Sequence, residues 1–108
     1  MTQPIVELAQ IKLADGVSEA DLMRASDTFQ IDFLNGQPGF VRRELVRSGE
    51  GAYLDIVHWQ SRADADAVMQ KAQGSDAVGA YFSLMDFDAA DVETGVTHCV
   101  SLQVHQQA

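Results

Sequence analysis

The chain predicts an α+β fold in the order strand, helix, strand, strand, helix, strand, forming a four-stranded antiparallel sheet with its helices on one face. Three observations lead there. Apolar residues alternate with others over 4–14, 53–60 and 92–104, the period of a strand. They recur at three- and four-residue steps over 22–33 and 65–72, the period of a helix. Turn-forming residues punctuate these runs at Asp15–Gly16, Asn35–Gly36, Pro38–Gly39 and Gly49–Gly51.

In the first strand, Val6 and Leu8 share one parity and Ile5, Ala9, Ile11 and Leu13 the other, so both faces are apolar. Ser18, with Asp21 three residues on, has the form of a capping box. Leu22, Ala25, Phe29 and Phe33 then make the apolar stripe of a first helix, which ends at Asn35 and Gly36. A second strand runs from Phe40 to about Ser48. After the Gly49–Gly51 turn, a third runs from Tyr53 to Gln60, completing a hairpin. Ser61 with Asp64 repeats the capping pattern, and Ala65, Val68, Met69 and Ala72 form one helical face up to Gly74. Ser75 caps a short helix through Val78, Tyr81 and Phe82. Asp86 to Asp91 reads as an acidic loop, and Val92 to Val104 as a long last strand.

At 108 residues, with 46% hydrophobic residues and two prolines, the chain makes a single domain, 1–108. Seven Lys and Arg against sixteen Asp and Glu give a net charge of −9. That charge repels phosphate backbones and anionic lipid, so nucleic acid and membrane are not expected partners. One cysteine, Cys99, forms no internal disulfide, and no stretch reaches the roughly 20 apolar residues of a membrane span. A cytoplasmic protein is the expectation.

Two helices cover one face of a four-stranded sheet, yet the strands carry large apolar residues on both. Burying an aliphatic side chain contributes roughly 1.5 to 3 kcal/mol, so Leu8, Leu54 and Ile56 left in water would forfeit several times the contribution of one residue. A homodimer with its sheets packed face to face is therefore expected.

Pro38, Gly39 and Phe40 after the first helix, Trp59, Gln60 and Ser61 at the next strand-to-helix junction, and Ser75–Asp76 opening the short helix are the most specific features of the chain. On these it resembles the antibiotic biosynthesis monooxygenase-like family of the dimeric α+β barrel superfamily, with a ferredoxin-like subunit. The resemblance spans nearly the whole chain and rests on turn- and cap-building residues, so it speaks for shared backbone before shared reaction. It implies a ligand cavity between sheet and helices within each subunit. It also implies oxidation of an aromatic or polyketide-like substrate by molecular oxygen with no flavin and no dedicated metal, hence no cofactor. Haem-degrading members place an asparagine in the first strand and a histidine in the short helix. Ala9 and Phe82 stand there instead, which argues against haem.

Trp59, matching a pocket tryptophan of the family, and His98, an imidazole on an apolar strand face, are the candidate catalytic residues. Tyr53, Phe29, Phe33, Met69, Tyr81 and Phe82 are the candidate substrate-binding residues, for a small apolar or aromatic ligand. All of these residue types also serve as ordinary core. His58 has the opposite parity to Trp59 and falls on the dimer face; a metal shared by His58 and His98 requires both on one side. His105 is expected in solvent. Arg42 and Arg43 point to opposite faces, so one of them can hold a carboxylate or phenolate oxygen. Cys99 has no neighbouring cation to activate it, and the Asp86, Asp88, Asp91, Glu93 run lacks the pattern of a calcium loop. Two functions follow: a cofactor-independent monooxygenase, or a non-enzymatic ligand-binding or stress-response barrel.

Overall fold

The computed structural model describes residues 3–86 and 95–107. The strands are β1 (Ile5–Lys12), β2 (Phe40–Gly49), β3 (Ala52–Trp59) and β4 (Val96–Val100); the helices are α1 (Glu19–Phe29), α2 (Arg62–Ala72) and α3 (Asp76–Phe82). The sheet is antiparallel, in the order β2-β3-β1-β4.

Each predicted helix start is built by its serine. Ser18 Oγ accepts from the Asp21 amide at 3.1 Å while Asp21 accepts from the Ser18 amide at 3.1 Å, closing a reciprocal cap on α1. Ser61 accepts from Asp64 N and Ser75 from Val78 N, at 3.1 and 3.3 Å. The first helix does not run unbroken to Asn35. After Phe29 it widens into a π-helical turn, Gln30–Leu34, closed by the Asn35 amide donating to the Gln30 carbonyl at 2.9 Å. That turn seats Phe33 and Leu34 in the core, where they are 9% and 2% exposed. The chain then reverses through Gly39, whose φ of +82° and whose contact with the Asp64 side chain, where a Cβ would overlap, call for glycine.

Register fixes the faces. Ile5, Glu7, Ala9 and Ile11 of β1 lie opposite Trp59, Val57, Asp55 and Tyr53 of β3, and all of these face the helices. Val6, Leu8, Leu54 and Ile56 share the open face and are half-buried within the single chain. One apolar cluster joins Ile5, Phe33, Leu34, Val57 and Trp59 to Ala65, Val68 and Ala72 of α2 and to Val78; a second joins Ile11, Leu22, Tyr53 and Tyr81.

The last strand is shorter than its alternation suggests. β4 pairs only with β1, from Ala9↔Val96 to Ile5↔Val100, and after one more bond from Ser101 N to the Pro4 carbonyl the partner strand has ended. Leu102 and Val104 therefore stand 88% and 71% exposed with no ladder to join among the described residues. Residues 92–94 of the expected strand, and Asp88, Asp91 and Glu93 of the acidic run, lie outside the described residues. No helix among the described residues is long and apolar enough to cross a membrane.

Candidate active site

The helix-facing side of β2 and β3 is not uniformly apolar. Asp55 has the parity of Trp59 and Val57, and Arg43 lies directly opposite Val57, so both side chains are carried under the helices. They are 8% and 5% exposed, with Arg43 Nε 3.7 Å from Asp55 Oδ1. Tyr81 of α3, 1% exposed, donates its hydroxyl to Asp55 Oδ2 at 2.6 Å. Arg43 Nη2 donates to Ser26 Oγ and, at 3.4 Å, to the Ser26 carbonyl of α1. The guanidinium lies against the Phe29 and Tyr81 rings, 5.0 and 5.6 Å from their centroids.

Buried charge is expensive unless paired, and this pair is loose: 3.7 Å is an ion contact, not a hydrogen bond. Its polar atoms are incompletely used. Arg43 Nη1, Asp55 Oδ1 and Trp59 Nε1 are the buried side-chain polar atoms, among the described residues, with no hydrogen-bond partner. All three belong to the helix face of the β2–β3 hairpin. Such atoms are scarce in folded proteins; two of them belong to the Arg43–Asp55 pair, while Trp59 Nε1 lies further along β3 in the apolar cluster under α2.

Burial raises the Asp55 carboxyl above its ordinary range, while Arg43 and the Tyr81 hydrogen bond pull it back down. Burial, with Asp55 beside it, pushes the Tyr81 phenol far up, so Tyr81 is a proton donor at neutral pH. Tyr53 is also raised, by desolvation and by its bond to Glu19, to which its hydroxyl donates at 3.2 Å.

Two clefts open between α1 and β2. One, of about 290 Å³, is walled by Glu19, Leu22, Met23, Leu45, Arg47 and Tyr53; the other, of about 320 Å³, by Gln30, Phe40 and Arg43, with Ser26, Asp27 and Leu45 bordering both. At the outer rim Arg47 grips Glu19 with two bonds, of 2.6 and 3.2 Å. The Glu19 carboxyl is held below its usual range chiefly by that Arg47 bond.

The expected site residues fall into separate places. Tyr53 lines the first cleft, and Phe29, Phe33 and Tyr81 stack in series, Phe29 to Tyr81 at 4.8 Å and Phe29 to Phe33 at 5.9 Å. Phe82 packs against both apolar clusters. Met69 stands apart from them, 48% exposed on the flank of α2, because Ala65, Val68 and Ala72 supply the buried stripe. Trp59, 3% exposed, lies one side chain behind the second cleft, edge-on to Phe40 at 5.7 Å. His98 is opposite Glu7 on the β1–β4 side, its Nε2 3.1 Å from Glu7 Oε1. Neither Trp59 nor His98 lines either cleft.

His58, opposite Val6, is on the open face and His98 on the helix face, so the two histidines cannot share a metal. Among the described residues no three His, Cys, Asp or Glu side chains are grouped to hold one. Of the arginine pair, Arg43 turns inward and Arg42 outward, 3.5 Å from Glu44. Sequence reasoning did not single out Asp55 or Ser26. The available signal was an aspartate at the inward parity of β3.

No family model and no curated protein sequence matches the chain. Solved structures match along its length. The cofactor-independent oxygenase SnoaB from Streptomyces nogalater superposes with a TM-score of 0.66 at 16% identity, covering 97% of each chain. A candidate antibiotic biosynthesis monooxygenase from Chloroflexus aurantiacus gives 0.68 at 15%, over 95% of this chain and 97% of that one. A heme-degrading protein from Mycobacterium tuberculosis gives 0.60 at 20%, over 98% and 100%. The fold is thus the ferredoxin-like α+β fold of antibiotic biosynthesis monooxygenase-like proteins, as the sequence resemblance implied.

Proposed function

We propose that the chain is a cofactor-independent oxygenase acting on a small aromatic or polyketide-like molecule with molecular oxygen. The observation that carries this reading is the loose Arg43–Asp55 pair, with Arg43 Nη1 and Asp55 Oδ1 buried and unpartnered and Arg43 lining a cleft, in a fold shared with an oxygenase that needs no cofactor. In the reaction an activated CH2 of the substrate loses a proton, the carbanion passes an electron to O2, and recombination and loss of water leave a carbonyl: CH2 + O2 gives C=O + H2O. Arg43 holds the oxygen on which the carbanion's charge rests, as the sequence reading allowed for one of its two arginines. Asp55 takes the role of proton acceptor, since the raised phenols of Tyr53 and Tyr81 donate and His98 lies away from the clefts against Glu7. Trp59 backs Phe40 and shapes the wall.

A second copy covers the open face through Val6, Leu8, Leu54 and Ile56, making the sheet-to-sheet homodimer. A non-enzymatic ligand-binding barrel is the second reading, favoured by the lack of a histidine among the described residues of either cleft wall. Oxygen uptake with anthrone-like and quinol substrates separates the two. Uptake above buffer, lost in Arg43→Gln, supports the enzyme; a folded dimer that binds these compounds and consumes no oxygen supports the barrel.

A further inference from the structure

The Arg43–Asp55 pair is shut in. Both side chains are buried, and Arg43 Nη1 and Asp55 Oδ1 present no surface that a ligand reaches. A ligand meets them only when an element covering them moves. On one side the cover is fixed: Tyr81 of α3 is fully buried and bonded to Asp55. On the other side α1 is held on unequal terms. Towards α3 it packs through Leu22, which shares an apolar cluster with Tyr81, and through the Phe29 ring stacked on Tyr81. Towards β2 it spans the two clefts, with Leu45 reaching in between them. Among the described residues its hydrogen bonds to the β2–β3 hairpin come from side chains: Arg43 to Ser26, and Arg47 and Tyr53 to Glu19. Both ends suit a hinge. The chain enters α1 by a turn at Gly16 and leaves it by the π-helical turn Gln30–Leu34 and Gly36, and nothing packs where a side chain would begin at either glycine.

We propose that α1 is a strap over the Arg43–Asp55 pair, latched at its outer end by Arg47 on Glu19, that swings on its α3 contact away from β2 to admit a ligand. The swing joins the two clefts, which already share Ser26, Asp27 and Leu45 as borders. It also breaks the Arg43–Ser26 bonds and so frees the guanidinium fork, while Tyr81 keeps Asp55 in place. Leu22 and Phe29 stay on Tyr81 throughout, so opening gives up polar contacts and leaves the core intact. The latch is an exposed ion pair, the kind of contact that opens readily. The proposal concerns access to the site read above and rests on that reading for what enters, not for the motion.

The test reads the motion without a substrate. Phenylglyoxal, which modifies guanidinium groups, is applied to the full chain and followed residue by residue by mass spectrometry, with amide exchange measured alongside. Exposed Arg24 and Arg62 set the unhindered rate. Arg43 is expected to react about tenfold or more slowly than these. Glu19→Ala, which removes the latch, is expected to speed both Arg43 modification and α1 exchange about threefold, with exchange in α2 unchanged. Glu19→Cys with Arg47→Cys, in a Cys99→Ser background and joined by a short bismaleimide, is expected to slow both below the unaltered chain.

Arg43 as reactive as Arg24 in the unaltered chain, no acceleration in Glu19→Ala, or an acceleration that α2 shares overturns the proposal. If the cross-linked chain does not form, the comparison of α1 with α2 in Glu19→Ala still decides it. Latch-controlled opening without oxygen uptake on any substrate removes the oxygenase and keeps the strap. Uptake undiminished in the cross-linked chain removes the strap and keeps the oxygenase.

Discussion

Two neighbouring parts of one sheet face are built on opposite terms. Under α2, Ile5, Val57, Trp59, Ala65, Val68 and Ala72 make a dry, filled core. Under α1, one or two residues further along the same strands, Arg43, Asp55, Tyr81 and Ser26 form a polar cluster with clefts at its edge. The first region follows the rule that apolar surface is removed from water, and each of its residues adds stability. The second bears the desolvation of two charges for a pairing too long to be a hydrogen bond. Folding alone does not call for such a cluster, whereas ligand recognition does.

The largest effect that would sharpen this contrast comes from breaking the charge pair. Arg43→Met leaves Asp55 buried and uncompensated and is expected to lower unfolding free energy by about 3–5 kcal/mol, measured by urea titration. The combined change Arg43→Met, Asp55→Leu, Tyr81→Phe should recover most of that loss while abolishing ligand binding. A triple variant as unstable as the single one would mean that the cluster belongs to the core after all.

On the dry side, Trp59→Phe shortens a packed side chain behind Phe40. A loss of about 1 kcal/mol is expected, with affinity for an anthrone-like substrate changed far less than in Arg43→Gln. A large fall in affinity at unchanged stability would move Trp59 from the wall's support to the wall itself.

A pH series separates the regions next. A carboxyl whose folded value is raised, as at Asp55, is most favourable to the fold below its unfolded value, and that advantage is lost as pH rises through the folded value. The cost of Asp55→Asn should therefore shrink as pH rises from the ordinary carboxylate range through the raised folded value. A constant or growing cost in chemical denaturation would contradict the burial argument.

The smallest effect is at the rim. Glu19 is held low by Arg47, so the stability it contributes is present above the unfolded value and lost as pH falls through the folded one. Glu19→Gln should flatten that acid-side loss and leave neutral-pH stability almost unchanged, as exposed ion pairs do.

Much of this architecture was legible because local chemistry dictated it. Ser18, Ser61 and Ser75 place three helix starts, Gly39 places a turn, and the parity of Val57 and Trp59 places the buried face of β3. What escaped depended on partners distant in sequence. Alternation continues through Val104, but only the end of β1 says where β4 must stop. The π-turn at Gln30–Leu34 has the same apolar spacing as an α-helix.

The site was half visible. Arg43 could be named as one of two arginines facing opposite ways, but its pairing with Asp55, Ser26 and Tyr81 joins β2, β3, α1 and α3 and exists only once the register is set. Trp59 drew notice for its size, and that same size suits it to the interior.

The most direct test is to locate the bound ligand. Titrating isotopically labelled chain with an anthrone-like substrate and following amide shifts should perturb α1, β2 and the surroundings of Arg43 while leaving Val6, Leu8 and Ile56 still. Shifts confined to the open face of the sheet, or none at saturating ligand, would contradict the account.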